Sequence, residues 1–120
     1  MESSKELKLI PKTENYIKYM LNVITKLPRT EKFNIGNEYK NTMYKMLEEI
    51  VLLTKVSKEQ RLDILNKIDA YTNIQRIFLR IMCENRWLDK KQFLYCMSLI
   101  DEIGKIVGAL IKTYVTYAKK

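Results

Sequence analysis

The chain has 120 residues, a formal net charge of +8 and a pI near 9.5, with three glycines, two prolines, two cysteines and no histidine. That length accommodates one domain with a real core but not two, and the shortage of turn residues favours helices over a β-sandwich. The missing histidine excludes Glu-x-x-His di-iron bundles, histidine-assisted zinc sites and Ser/His/Asp or Cys/His nucleophiles.

In chain order, residues 1–12 read as a polar N-terminal arm closed by Pro11, and residues 13–120 as a four-helix domain. Thr13 and Glu14 open a first helix. Its apolar positions, Ile17, Met20, Leu21 and Ile24, keep the helical period up to Leu27, and Pro28 stops it. PRTEKFNIG, residues 28–36, is the first connection. A second helix spans roughly Ile35 to Thr54, with Tyr39, Met43, Met46, Leu47, Ile50 and Leu53 facing inward. SKEQ at 57–60 has the form of a capping box and starts a third helix reaching about Asn85. DKKQ at 89–92 repeats the device with Asp89 and starts a fourth helix that reaches Tyr114 or beyond. Short links make sequence neighbours antiparallel, so the expected fold is all-α, an antiparallel up-down four-helix bundle.

The two later helices carry more apolar surface than one core stripe needs. On the third, Leu65, Ile68, Leu79 and Met82 form one face, and Ala70, Ile74, Ile77 and Ile81 form another, about 140–180° away around the helix. On the fourth, Phe93, Met97, Ile100, Gly104, Val107 and Ile111 make one side, and Tyr95, Leu99, Ile106, Leu110 and Tyr117 a second. In a monomer one of these faces would be a large apolar patch in water. A homo-oligomer uses it economically, with Ile74, Ile77, Ile81, Leu99, Ile106 and Leu110 as candidate interface residues.

DEIGKIVGALIKTY, residues 101–114, places Gly104 and Gly108 one helical turn apart. Each glycine costs about 1 kcal/mol relative to alanine inside a helix, so something is expected to approach that face closely. The candidates are the backbone of the first helix and a helix of the next subunit. Alignment with Phe93, Met97, Ile100 and Ile111 favours the contact within the chain. Asp101, Glu102 and Lys105 interrupt the apolar run, so this spacing is not a membrane dimer motif and no membrane partner is expected. MESSKELKLIPK contains no uninterrupted apolar segment, and Cys83 and Cys96 lack CxxC spacing. The expectation is a cytoplasmic protein with two buried thiols, no metal and no cofactor. The adjacent carboxylates Glu48/Glu49 and Asp101/Glu102 diverge by about 100° on a helix, which is poor geometry for an acid/base pair. No catalytic residue is expected, and the chain reads as a non-enzyme.

What remains is charge. Arg76 and Arg80 lie four apart on the third helix, after Asn73 and with no acid until Glu84. Arginine forks bind phosphate or carboxylate in a bidentate way, whereas isolated lysines mostly solvate helix faces. Beyond Glu102 the last helix carries Lys105 and Lys112 and no acid, and Lys26, Arg29 and Lys32 surround a single Glu31 in the first connection. Such a surface suits a nucleic-acid backbone or an acidic protein.

LPRTEKFNIG, RWLDKKQFLY and DEIGKIVGALIK, in this order and spacing, resemble the accessory variability determinant (Avd) proteins of diversity-generating retroelements. The wider group includes four-helix proteins encoded in intervening sequences of bacterial large-subunit ribosomal RNA genes. The resemblance covers roughly residues 11–113 and is most specific at Glu102, Ile103, Gly104 and Gly108. The family pattern often continues with a further glycine and a tryptophan, where this chain has Ala109 and Leu110. The resemblance implies a homopentameric barrel of four-helix bundles with a basic surface and no chemistry of its own. It also implies binding of RNA and DNA with little sequence preference, and association with the retroelement's reverse transcriptase. Arg76 and Arg80 match the family's paired arginines, which look like contacts for the polymerase or its RNA, and Lys105 and Lys112 fall where its last helix is commonly basic. Two other readings stay open: a ribosomal-RNA intervening-sequence protein, and a basic adaptor bundle that meets an acidic protein.

Overall fold

Four long helices and one single turn make up the described residues. The computed structural model describes residues 4–118, as α1 (Ser4–Thr25), α2 (Arg29–Lys32), α3 (Ile35–Leu53), α4 (Lys58–Glu84) and α5 (Lys90–Ala118). α1 and α4 each pack against both α3 and α5, giving a bundle with extents of 50 × 22 × 21 Å. Cross-helix pairs establish the directions. Tyr39 meets Phe78 while Glu49 meets Lys67, and Lys12 meets Glu102 while Tyr19 meets Tyr95. Climbing one helix descends its neighbour, so the expected antiparallel up-down bundle is present. One end of the bundle holds the α1–α3 and α4–α5 connections, and the other holds the α3–α4 connection.

The first helix starts nine residues earlier than expected, at Ser4, with Pro11 inside it. Proline removes one helical hydrogen bond, that to the Leu7 carbonyl. Both Pro11 and Leu7 are exposed, so water can satisfy that carbonyl. In return, the two turns before Pro11 bury Leu9 and Glu6. Arg61 Nη1 donates to Glu6 Oε1 at 2.9 Å and to the Tyr114 hydroxyl at 2.7 Å, and the guanidinium lies 5.8 Å from the Tyr114 ring centroid. This arrangement neutralises a buried carboxylate that would otherwise be costly, and it ties α1 to α4 and α5.

The helix ends follow their local chemistry. Asp89 Oδ1 accepts the Gln92 N–H at 2.7 Å and caps α5 as expected. Ser57 occupies the N-cap of α4 in an extended conformation, but its side chain makes no capping bond there. At the far end of α4, Trp87 N–H bonds to Met82 O at 2.9 Å and Arg86 N–H to Cys83 O at 3.0 Å. These are the two bonds of a Schellman motif. Arg86 takes its left-handed position with φ 63.

Inside the bundle, Leu65, Ile68, Leu79 and Met82 of α4 are buried, as are Tyr39, Met43, Met46, Ile50 and Leu53 of α3. The core line of α5 differs from the expected one. It runs through Cys96, Ile100, Ile103, Val107, Leu110 and Tyr114. Phe93, Met97, Gly104 and Ile111 flank it on the side toward α4. The apolar arc of α5 is so wide that its periodicity alone does not locate its centre.

A polar chain crosses this core. Tyr39 donates its hydroxyl proton to Tyr16, and Tyr16 donates to Gln75 Oε1 at 2.8 Å. Gln75 Nε2 in turn donates to Met46 Sδ at 3.2 Å and to Tyr71 O at 3.0 Å. Burial pushes both tyrosine pKa values above their ordinary range, and pushes the Cys96 thiol up to about 12. Neither group ionises near neutrality, so the chain of bonds fixes helix register without carrying charge.

Candidate functional site

The glycines of α5 explain the arginines of α4. A Cβ built on Gly104 would collide with Arg76 Nη2 and lie 3.5 Å from its Cζ. Gly104 therefore seats a guanidinium rather than a helix backbone, which corrects the expected helix-packing role. Arg76 Nε donates to Asp101 Oδ1 at 2.9 Å and Nη1 to Asn73 Oδ1 at 2.7 Å. Asp101, on the neighbouring helix, neutralises an arginine that looked unpaired along its own helix. Gly108 meets nothing within 4 Å of a built Cβ, so no close approach within the chain accounts for it. Gly36 has a close approach to backbone: its Cβ would stand 3.1 Å from both Glu31 O and Ile24 Cγ2.

Arg76, Ser98, Asp101, Glu102, Gly104 and Lys105 line a surface groove of about 630 Å³ between α4 and α5. Its charges balance, since two carboxylates face two cations. One turn along, Arg80 is exposed and has no ion-pair partner among the described residues. The six basic candidates therefore do not converge on one patch. Arg76 and Lys105 share the mid-bundle groove, while exposed Lys112 lies toward the α3–α4 end. Arg29 and half-buried Lys32 sit on α2 at the opposite end.

The apolar candidates divide as well. Ile74, Ile77 and Ile81 are 38%, 45% and 36% exposed, and exposed Ala70 continues the strip along the outer face of α4. On α5, Leu110 is 3% exposed and belongs to the core, which removes it from any interface. Leu99 and Ile106 are half-buried and pack against that core, on the side of α5 that α1 covers. Tyr95 stacks edge-on against Tyr19 with ring centroids 4.8 Å apart. The second stripe of α5 is thus largely absorbed by the first helix, and the outer stripe of α4 is not.

Among the described residues no helix is long and apolar enough to cross a membrane, and no group of three or more His, Cys, Asp or Glu is placed to hold a metal ion. A family model described as bAvd-like matches residues 8–114. The chain belongs to the bAvd-like family. Among curated proteins none matches. The fold is similar to a crystal structure from Bacteroides thetaiotaomicron VPI-5482, a protein of unknown function from the S23 ribosomal protein family. The two superpose with a TM-score of 0.82 at 16% identity, covering 90% of this chain and 98% of that one. At this identity the likeness establishes the four-helix fold.

In this bAvd-like chain the two paired arginines have different surroundings. Arg76 is held between α4 and α5 by Asp101, Asn73 and the Gly104 gap, whereas Arg80 projects free. Their i, i+4 spacing was legible in the sequence, but the cross-helix aspartate was not. Sequence reasoning also missed Arg86 and the Glu6–Arg61 pair. An arginine in the left-handed C′ position has no local signature, and Glu6 precedes a proline that normally ends a helix.

Proposed function

We propose that this protein is a non-catalytic accessory subunit of a diversity-generating retroelement. It acts in the cytoplasm as a homo-oligomer, a pentamer in the pattern of its family, and binds the reverse transcriptase together with RNA or DNA in a largely sequence-independent way. Membership of the bAvd-like family over residues 8–114 carries this reading. The excess of eight positive charges supplies the attraction to a polyanion.

The isoleucine strip of α4 supports the assembly. Full burial of an isoleucine is worth about 1.5–3 kcal/mol, so a side chain about four-tenths exposed leaves roughly 1 kcal/mol to be gained at a contact. The strip lies on one side of the bundle only, so a contact with a different face of the next copy is heterologous. Repeated by rotation, such a contact closes into a ring.

Co-expression with a reverse transcriptase of a diversity-generating retroelement, followed by affinity capture and sedimentation equilibrium, tests the reading. A ring that co-purifies with the polymerase and releases RNA at high salt is the expected result. A monomer that ignores both polymerase and nucleic acid refutes it. The ribosomal-RNA intervening-sequence alternative shares the fold and would have no polymerase partner. The adaptor alternative would retain an acidic protein but no nucleic acid.

A further inference from the structure

We propose that the end of the bundle holding the α1–α3 and α4–α5 connections is a docking surface for single-stranded nucleic acid. Unstacked bases rest there on Phe33 and Tyr95, and phosphates are held by Arg29, Lys32, Arg86 and Lys91. The inference rests on the nucleic-acid reading above and adds a location and a strand type to it.

Three observations converge on this end. The first is unbalanced charge: residues 26–34 and 80–95 hold seven basic side chains against three acidic ones. None of Arg29, Lys32, Arg80, Arg86 or Lys91 has an ion-pair partner among the described residues. The ion pairs among the described residues lie at mid-height or toward the other end. One of the three acids, Asp89, is occupied in capping α5.

The second is backbone conformation. Arg86 sits at φ 63, in the C′ position that glycine fills without steric cost. An arginine there is strained relative to glycine, and its exposed side chain makes no hydrogen bond or ion pair among the described residues. No hydrogen bond or ion pair among the described residues occupies this guanidinium, which leaves it open to a phosphate ligand.

The third is exposed aromatic surface placed among those charges. Phe33 is 68% and Tyr95 51% exposed. Tyr95 shares a depression of about 630 Å³ with Tyr19, Gln92, Leu94, Lys91 and the capping residue Asp89. Its edge-on contact with Tyr19 holds the ring in place and leaves much of it open to solvent. Rings interleaved with cations hold unpaired bases, which offer a free π-face; a duplex offers only its backbone.

The test measures binding of a fluorescent 20-nucleotide single-stranded RNA, the same sequence as a duplex, and polyglutamate, across a salt series. The variants are Phe33→Ala, Tyr95→Ala, Arg86→Gly and, at the other end, Lys112→Ala. Tighter binding of the single strand than of the duplex is expected. Each aromatic variant should lose about 5- to 150-fold in single-strand affinity, the worth of one stacked base, with duplex affinity unchanged. Arg86→Gly should raise the melting temperature yet weaken binding and reduce the single-strand salt slope by about 0.7. That combination separates a ligand contact from a structural residue. RNA binding that survives all three end variants but falls with Lys112→Ala overturns the location and leaves the nucleic-acid reading standing. Equal affinity for both strand types, with the aromatic variants silent, overturns the stacking. Binding of polyglutamate alone overturns both the inference and the reading beneath it.

Discussion

Replacing Gly104 by alanine asks one methyl group to share space with the Arg76 guanidinium. The new Cβ would collide with Nη2, so the guanidinium must shift off its seat, which strains its Nε bond to Asp101. Two terms of similar size then oppose each other. Alanine gains about 1 kcal/mol of helix propensity. Against it stand the ion pair, worth about 1 kcal/mol or less with a half-exposed carboxylate, and the packing of the arginine stem. The single variant should therefore be close to neutral. In an Arg76→Ala background the seat is empty, and the same Gly104→Ala change should stabilise by about 1 kcal/mol. Urea unfolding followed by circular dichroism, at one fixed protein concentration because assembly shifts apparent stability, reads the cycle. A coupling of about 1 kcal/mol is expected. Equal stabilisation in both backgrounds would refute the seat, because the glycine would then make no room for the arginine.

Other consequences can be checked by the same melts. Tyr16→Phe strands both the Tyr39 hydroxyl and Gln75 Oε1 and should cost about 1–3 kcal/mol; Tyr39→Phe removes only a donor and should cost less. Glu6→Ala leaves Arg61 without its buried carboxylate and should cost about 3–5 kcal/mol, whereas a loss below about 1 kcal/mol would mean the first turns of α1 are not clasped. Cys96 is raised by burial from an ordinary 9.0 to about 12. Its contribution is thus complete below pH 9.0 and lost as pH climbs toward 12, at up to about 1.4 kcal/mol per pH unit. The buried tyrosines add their own loss above 10.0, their ordinary value. Cys96→Ala should delay the onset of alkaline unfolding, and an unmoved onset would contradict the assignment. Ile77→Lys, at an exposed position, should dissociate the proposed homo-oligomer in sedimentation while changing stability of the isolated bundle by no more than about 0.5 kcal/mol.

The sequence by itself determined the helices and their order. Apolar residues at three- and four-residue spacing defined α3 and α4 to within a residue or two. Asp89 capped α5 where its DKKQ placed it, and the absence of histidine ruled out whole classes of chemistry. These are local facts, decided by neighbours within a few positions along the chain. Packing decided everything that joins distant residues. Pro11 reads locally as a helix stop, yet α1 runs through it because Leu9 and Glu6, before the proline, are buried in the bundle. The centre of α5's wide apolar arc was fixed only when α1 and α4 took its two flanks. That rotation moved Leu110 into the core, while the strip of Ile74, Ile77 and Ile81 stays outside because α4 turns its Leu65, Ile68, Leu79 and Met82 face inward. Arg76 looked unpaired because its partner Asp101 is on the next helix, and Gly104 looked like a helix contact because the arginine it accommodates comes from α4. Spacing along one helix tells which residues share a face, but which residues meet that face depends on how the helices pack.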